Sequence, residues 1–501
     1  MADISIQHFY GGRSVFVTGA TGFMGKVLVE KLLRSCSDID TIYLLIRTKR
    51  DVIPSTRLQE LITNSQAFEW LRQNQPDALK KLIPISGDVS LSNLGISPSD
   101  MRELIDNVSV VFHLAARVKL DNNLREAMDC NVKGPKRVAI LCRQLKNLKV
   151  LVHVSTTYSN VDKKELAEQI YTASLDPQKL MDLVDSMDDQ LLASSTKQLI
   201  GNSPNVYAYT KALGENVLED LVQCEGRFPL VIVRPSTVIA AIREPIPGWV
   251  DDFNGHSGLL AGMLKGFINT VKANAELITD LIPVDIPINL MIAAAWDKGI
   301  YETSNETISV YYSLIIGTLN PIRWWEFKLW GMRAFDKFPC KEMMRCPSVE
   351  IRTNNMIYEI ELALYHKMPA FFMDAVTRLS GKKPFLTRLY QRTHKVMSCV
   401  EFYNLREWHF VSRNASYLMG KMSDDDRNTF NFDVRQIDWE SYLEIYVSGV
   451  RQFLIKDDLR TLPAARNNLK RMKRFRALVR LFMLGLVLFF FYAIWWKLFT
   501  N

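Results

Sequence analysis

Val17-Thr18-Gly19-Ala20-Thr21-Gly22-Phe23-Met24-Gly25 is the stretch that decides how this chain folds. Before it, Ser14 to Thr18 is a short β-branched and aromatic run; after it, Phe23 to Arg34 reads as a helix. A G-x-x-G-x-x-G loop between a strand and a helix is shaped to cradle a dinucleotide pyrophosphate. Gly19 permits the tight turn, Gly22 lets the backbone approach the phosphates, and Gly25 lets the helix pack on the strand. The helix N-terminus favours the phosphate charge. Thr18, Thr21, Phe23 and Met24 complete the expected cradle.

Working outward, the pattern repeats. Thr41 to Ile46, Leu82 to Ile85, Val108 to Leu114, Val150 to Ser155 and Leu230 to Arg234 are apolar runs, separated by helical stretches such as Leu120 to Leu145. This alternation predicts an α/β fold, a Rossmann-type doubly wound parallel sheet covered on both faces. The insertion from Asp162 to Ser203, rich in polar and acidic residues, predicts a lid or surface subdomain rather than sheet. Gly255 to Val271 is small-residue and apolar and suits a substrate channel. Around Trp324 to Pro347 the alternation stops, and Asn355 to Asp458 reads as mainly helical. The expected division is a nucleotide-binding domain over 1–350, a helical domain over 355–458, a basic segment over 461–480 and a membrane-spanning helix over 477–497.

The chain has 501 residues, 48% of them apolar and 23% charged, which is ordinary for a globular protein with a large core. Its seven cysteines are scattered and form no C-x-x-C pair. That speaks against a disulfide scaffold or a zinc site, so no metal is expected, and for a reducing compartment. The first residues, Met1 to His8, carry neither the basic nor the apolar region of a secretory signal.

The net charge of +8 lies in the tail, where eight Lys and Arg and no acid follow Thr461. The remainder balances to zero, and no nucleic-acid surface is expected. Beside the basic cluster, Leu481 to Trp496 is continuously apolar and, with Ala477 to Val479, supplies the ~20 residues a spanning helix needs. Trp495-Trp496 suits the far interface and the Lys/Arg cluster marks the near side as cytoplasmic. The expectation is a single-pass tail anchor holding the catalytic part in the cytosol, with the endoplasmic reticulum favoured and the peroxisome as alternative. The shorter patch Leu362 to Val376 is interrupted by His366, Lys367, Pro369 and Asp374, and reads as buried or membrane-skimming rather than as a second span.

Chemistry concentrates at the ends of the expected strands. The second ends Arg47-Thr48-Lys49-Arg50, where an NAD site usually has an acid for the ribose hydroxyls. Arg47, supported by Arg50, is placed to meet a 2′-phosphate, which predicts NADPH. Asp88-Val89 is expected beside the adenine, and Ala115-Ala116 along the cofactor, with His113 a core residue. Tyr207-Ala208-Tyr209-Thr210-Lys211 puts a phenol and an ammonium one helical turn apart. A free tyrosine has a pKa near ~10. A neighbouring Lys⁺ is expected to favour the phenolate of Tyr207 and bring it toward useful acid/base range. Lys211 is also within expected reach of the nicotinamide ribose. Ser155 and Thr156 supply hydroxyls for a substrate oxygen, Thr156 foremost, and Asn131 is expected to order a water near Lys211.

With these residues in hand, the chain resembles the extended short-chain dehydrogenase/reductases, and among them the fatty acyl-CoA reductases of insect type. The matching stretches are Val17 to Lys26, Val154-Ser155-Thr156-Thr157-Tyr158-Ser159-Asn160, Tyr209-Thr210-Lys211-Ala212, Val233-Arg234-Pro235-Ser236, Pro283-Val284-Asp285 and Ala293-Ala294-Ala295-Trp296. Toward the C-terminus, Arg406-Glu407-Trp408, Asp426-Arg427, Phe430-Asn431-Phe432-Asp433 and Asp438-Trp439 resemble the family's companion sterile domain. Pro287 departs from the family's usual pattern and puts the local loop geometry in question. The resemblance implies reduction of a long-chain acyl-CoA to a fatty alcohol with two NADPH and release of CoA. The implied partners are acyl-CoA and membrane lipid, and homodimerisation is left open. Two other readings stand beside it: a membrane-bound dehydrogenase or epimerase for a sterol or nucleotide sugar, and a silent NADPH-binding scaffold. The joint presence of Tyr207, Lys211, Ser155 and Thr156 speaks against the scaffold.

Overall fold

The computed structural model describes residues 4–119, 121–224, 227–253, 255–300, 307–313 and 319–499. Leu120, where one helical stretch was expected to begin, lies outside them. The strands in chain order are β1 (Ser14–Thr18), β2 (Ile42–Ile46), β3 (Leu82–Ser86), β4 (Val108–His113), β5 (Val150–Val154), β6 (Glu165–Ala167) and β7 (Leu230–Pro235). They continue as β8 (Thr237–Ile239), β9 (Thr270–Lys272), β10 (Leu281–Pro283), β11 (Ile308–Ser313), β12 (Glu350–Arg352) and β13 (His409–Val411).

Contacts divide the chain into two compact units that interleave along the sequence. The first comprises Met1–Trp249, Ile278–Pro321 and Arg406–Ile437; the second comprises Val250–Leu277, Ile322–Leu405 and Asp438–Asn501. They do not follow the linear boundary expected near residue 350.

The first unit is built on a seven-stranded sheet in the order β11-β7-β5-β4-β1-β2-β3. Every pairing in it is parallel. Strands β1, β2, β4, β5 and β7 are buried along their whole length, as runs such as Ile-Tyr-Leu-Leu-Ile require when helices cover both faces. β3 lies at an edge, which is where its Pro84 costs no ladder bond. The order runs outward from β1 in both directions, so the crevice for a ligand lies beyond the strand ends between β1 and β4. The expected stretch Leu120 to Leu145 is two helices, Leu124–Asn131 and Lys133–Gln144.

The insertion after β5 holds the helices Pro177–Ser186 and Asp189–Ile200, whose Leu180, Met181, Val184 and Leu192 join the main core. It was expected to contain no sheet. Instead β6 pairs in parallel with β13. That pairing is one of several that bring residues 406–437 into the first unit. The Glu168 carboxylate accepts from Ser412 Oγ at 2.9 Å, Arg413 N at 2.8 Å and Asn414 N at 2.9 Å. Asn414 Nδ2 donates to the Val310 carbonyl at 2.7 Å, and Asn289 Nδ2 to the Asn431 carbonyl at 2.8 Å. Pro287 disturbs nothing. It lies in the first turn of the helix Asp285–Ile300, where a missing N–H is free of cost. The Asp285 carboxylate accepts from the N–H groups of Ile242, Arg243 and Glu244 at 2.8–3.1 Å.

The second unit is mainly helical, and so is most of the stretch 355–458 that was expected to be, although 406–437 of it belong to the first unit. The stretch expected as a channel is a packed helix, Gly255–Leu264, followed by β9 paired with β12. The last helix, Leu462–Phe499, runs for 38 residues. Among the described residues it is the one helix long and apolar enough to cross a membrane, and none of its apolar stretch is buried. Its basic first half sits on the helix Trp324–Lys337. Lys473 pairs with Asp336 at 2.6 Å, and Arg466 Nε donates to the Lys337 carbonyl at 3.1 Å.

Candidate active site

The glycine loop occupies the end of β1. Gly19 adopts φ +77°, and a Cβ there would come within 2.7 Å of the Ala115 nitrogen on the neighbouring β4 loop. A Cβ on Gly25 would collide with the Gly19 carbonyl. The helix Phe23–Ser35 opens at Gly22 with no side-chain cap, so the N–H groups of its first turn are open to an anion. Thr18 locks the adjoining loop: its Oγ1 lies 2.7 Å from His113 Nδ1 and accepts from Ala115 N at 3.2 Å. His113 is buried and its pKa is lowered to about 3 by that burial, so it is a neutral core residue. Phe23 stacks on buried Trp249 with ring centroids 5.4 Å apart.

The next two strand ends come together. Arg47, largely exposed, places Nη1 3.7 Å from the Asp88 carboxylate. Asp88 Oδ1 also accepts from Ser90 N at 2.9 Å and Ser90 Oγ at 2.8 Å. Val89 is buried, and its carbonyl accepts from Arg137 at 2.9 Å. Arg50 lies in an exposed turn at φ 51°.

The helix Val206–Cys224 carries Tyr207 and Lys211 to the end of β5. The half-buried Tyr207 phenol is hydrogen-bonded to the Thr156 hydroxyl. Thr156 opens the short turn Thr157–Asn160, its Oγ1 accepting from Tyr158 N at 3.3 Å. Ser155 is held by its N–H to the Val233 carbonyl at 2.8 Å, and its buried Oγ has no partner among the described residues. Lys211 is buried. Its Nζ donates to the Val154 carbonyl at 2.6 Å and lies 3.5 Å from His153 Nε2.

One expectation is corrected here. Burial pushes the Tyr207 phenol up to about 12, and the opposing influence is the Thr156 hydrogen bond rather than Lys211. The ammonium is committed to the Val154 carbonyl, and burial brings its own pKa down to about 8 against the pull of Glu215. Asn131, expected to order a water near Lys211, has its side-chain amide hydrogen-bonded to two neighbouring residues. Its Oδ1 accepts from Arg117 N at 2.7 Å, and its Nδ2 donates to the Arg117 carbonyl at 3.1 Å and to Thr210 Oγ1 at 3.0 Å. Its amide braces the β4 loop against the tyrosine helix. Gly214 makes the approach close enough, since a Cβ there would strike the Asn131 carbonyl.

Sequence reasoning missed the support beneath Lys211. Glu215, one turn further on, is buried and accepts from Arg234 Nε at 2.9 Å and Nη2 at 2.6 Å. Arg234 is itself fully buried at the end of β7 and also donates to Tyr312 Oη at 2.8 Å. The signal was an Arg inside an apolar strand with a Glu four residues beyond the Lys.

A nicotinamide dinucleotide fits these residues. A Cβ at Gly19 or Gly25 would strike neighbouring backbone, so only glycines allow this loop, which leaves the first-turn N–H groups of the next helix open to a pyrophosphate. The buried Ser155 hydroxyl, one residue before Thr156, has no partner among the described residues. Loop, strand order and Tyr/Lys helix define a nicotinamide-dependent oxidoreductase of the short-chain dehydrogenase type. Residues 17–291 match an NAD-binding domain described as male sterility protein, and residues 365–457 the sterile domain of the same description. The chain is 38% identical to human fatty acyl-CoA reductase 1 over 474 residues, spanning 94% of this chain and 90% of that protein. It is 37% identical to bovine fatty acyl-CoA reductase 2 over 468 residues, 93% and 90% of the two chains. The chain belongs to the fatty acyl-CoA reductase family. The fold recurs in the reductase domain of a nonribosomal peptide synthetase from Mycobacterium tuberculosis, at TM-score 0.58 and 18% identity, covering 89% of this chain and 92% of that one.

Proposed function

We propose that this protein reduces a long-chain fatty acyl-CoA to the primary alcohol, using two NADPH and two protons and releasing CoA. The observation that carries the reading is the hydroxyl set at the end of β5: Tyr207 hydrogen-bonded to Thr156, which follows Ser155 and its buried Oγ with no partner among the described residues. NADPH, when bound, supplies hydride to the carbonyl carbon in each of the two reductions. Tyr207 Oη and the Thr156 hydroxyl donate to the thioester oxygen as it gains charge. With its pKa near 12, Tyr207 holds its proton throughout the physiological range and is a proton donor rather than a phenolate. Collapse of the tetrahedral adduct breaks the C–S bond and frees CoA. The aldehyde then meets the same donors, and Tyr207 delivers the proton that completes the alcohol. Lys211 orders the cofactor ribose from beneath. Arg47 leaves Asp88 for the 2′-phosphate, which selects NADPH over NADH. The C-terminal helix anchors the chain in a membrane, into which an apolar product partitions.

The test is product analysis with the full-length protein in membranes, given acyl-CoA and NADPH. Fatty alcohol is expected. Tyr207→Phe should lower its formation by about 10²–10⁴-fold, the usual contribution of a positioned acid, while NADPH still binds by fluorescence titration. Alcohol formation at the normal rate by that variant would refute the proposal. Arg47→Asp should raise KM for NADPH far more than for NADH.

A further inference from the structure

The second unit contains a continuous helical segment whose polarity is inverted. The segment Asn355–Leu379 runs as a helix, a π turn at Ala363–Lys367, and a second helix from Met368. Its inward stripe is Tyr358, Leu362, His366, Ala370 and Asp374, at four-residue spacing. The polar members of that stripe are used inside. His366 Nε2 accepts from Asn269 N at 3.2 Å. The Asp374 carboxylate accepts from the N–H groups of Phe385, Leu386 and Thr387 at 2.8–3.1 Å, fixing the next helix, Leu386–Asn404. The outward face is apolar. Leu364, Met368, Phe371, Phe372 and Leu379 stand in the open, Phe371 at 63% and Leu379 at 89% exposure. A helix facing water carries the opposite pattern, and an apolar ridge of this size marks an interaction surface.

We infer that this ridge lies in the interfacial layer of a lipid bilayer bearing anionic headgroups, a second membrane contact besides the C-terminal helix. The inference rests on the reading of that helix as a membrane anchor. Both elements belong to the same compact unit, so lipid is held at that unit's own surface. The charge around the ridge chooses the partner. Residues 355–400 hold seven Lys and Arg, all exposed, against three acids. These are the inward Asp374, Glu361, which pairs with Arg352 at 2.7 Å, and Glu359, which pairs with Lys367 at 3.6 Å, so six of the cations are left around the ridge without a carboxylate from this segment. An apolar ridge edged by cations suits acyl chains below anionic headgroups. A second copy of the same surface would bring like charges together.

Photolabelling of the full-length protein tests this. It is reconstituted in vesicles of phosphatidylcholine and phosphatidylserine doped with a phosphatidylcholine carrying a diazirine in its acyl chain. Adducts mapped by mass spectrometry are expected both in 360–379 and in the C-terminal helix. Adducts confined to the C-terminal helix overturn the inference and leave the anchor intact; adducts at neither remove the anchor reading as well. Phe371→Glu with Leu379→Glu should cut labelling of 360–379 at least fivefold without changing labelling of the C-terminal helix or activity in detergent. Lys382→Glu with Lys383→Glu should reduce it in the mixed vesicles and leave pure phosphatidylcholine unaffected. Copy-to-copy crosslinks through the ridge in place of lipid adducts would assign the surface to self-association and sink the proposal.

Discussion

Lys211 is an ammonium in a place that disfavours charge. Burial lowers its pKa from 10.5 to about 8. Between those values the unfolded chain binds more protons than the folded one, so this residue's contribution to stability improves as pH rises through the window. Below pH 8 its burial costs on the order of 3 kcal/mol, from about 1.4 kcal/mol for each pKa unit. The checking measurement is urea unfolding of the cofactor-free protein and of Lys211→Met. Stability of the wild type relative to the variant should rise from pH 8 to about 10.5 and stay flat below; a constant difference would show that Lys211 is not buried as a charge. The same residue explains a limit of sequence reading. Tyr207 and Lys211 were legible because a four-residue spacing is local. Which group tunes the phenol was not, because the Thr156 hydroxyl and the Val154 carbonyl arrive from β5, more than fifty positions away.

At the level of elements, the site depends on how closely the tyrosine helix approaches the helix Leu124–Asn131. Gly214 meets the Asn131 carbonyl with no room for a Cβ, and Asn131 links Arg117 to Thr210 across the same gap. Gly214→Ala should therefore push the helix outward and lower kcat tenfold or more through Tyr207, since small misplacements of catalytic groups are costly. NADPH affinity and kcat measured side by side would separate this from unfolding, and unchanged kcat would refute it. Beneath the same helix, Glu215→Ala leaves Arg234 buried without its counter-ion and should destabilise by about 3–5 kcal/mol in a denaturant titration, more than Glu215→Leu combined with Arg234→Met. Five of the seven main-sheet strands were readable because doubly buried strands are continuous apolar runs, and the edge strand β3 from its Leu-Ile-Pro-Ile run. β11 was not, since Ile-Ser-Val-Tyr-Tyr-Ser mixes polar and aromatic residues. β6 and β13 are three residues each, too short to show any period, and they exist because they find each other. The Arg234–Glu215 support and the Asn131 brace were hidden for the same reason.

For the whole molecule, the exposed C-terminal helix yields a direct prediction. Leu484→Arg with Leu488→Arg places two charges in its apolar stretch, each costing about 2.5–3.5 kcal/mol at mid-membrane. Wild-type protein should stay with membranes through alkaline carbonate extraction and the double variant should be released; retention of the variant would refute the anchor. The interleaving of the two units has a consequence for biosynthesis. Residues 406–437 belong to the first unit, so the nucleotide-binding body is incomplete until residue 437 has been translated. Domains usually finish in order as they leave the ribosome. This one must wait, with β6 unpaired and its strand edge open to chaperones, for a segment made after most of its neighbour. The nucleotide-binding body and the long C-terminal helix are therefore completed almost together, and a nascent chain halted before that segment would have neither.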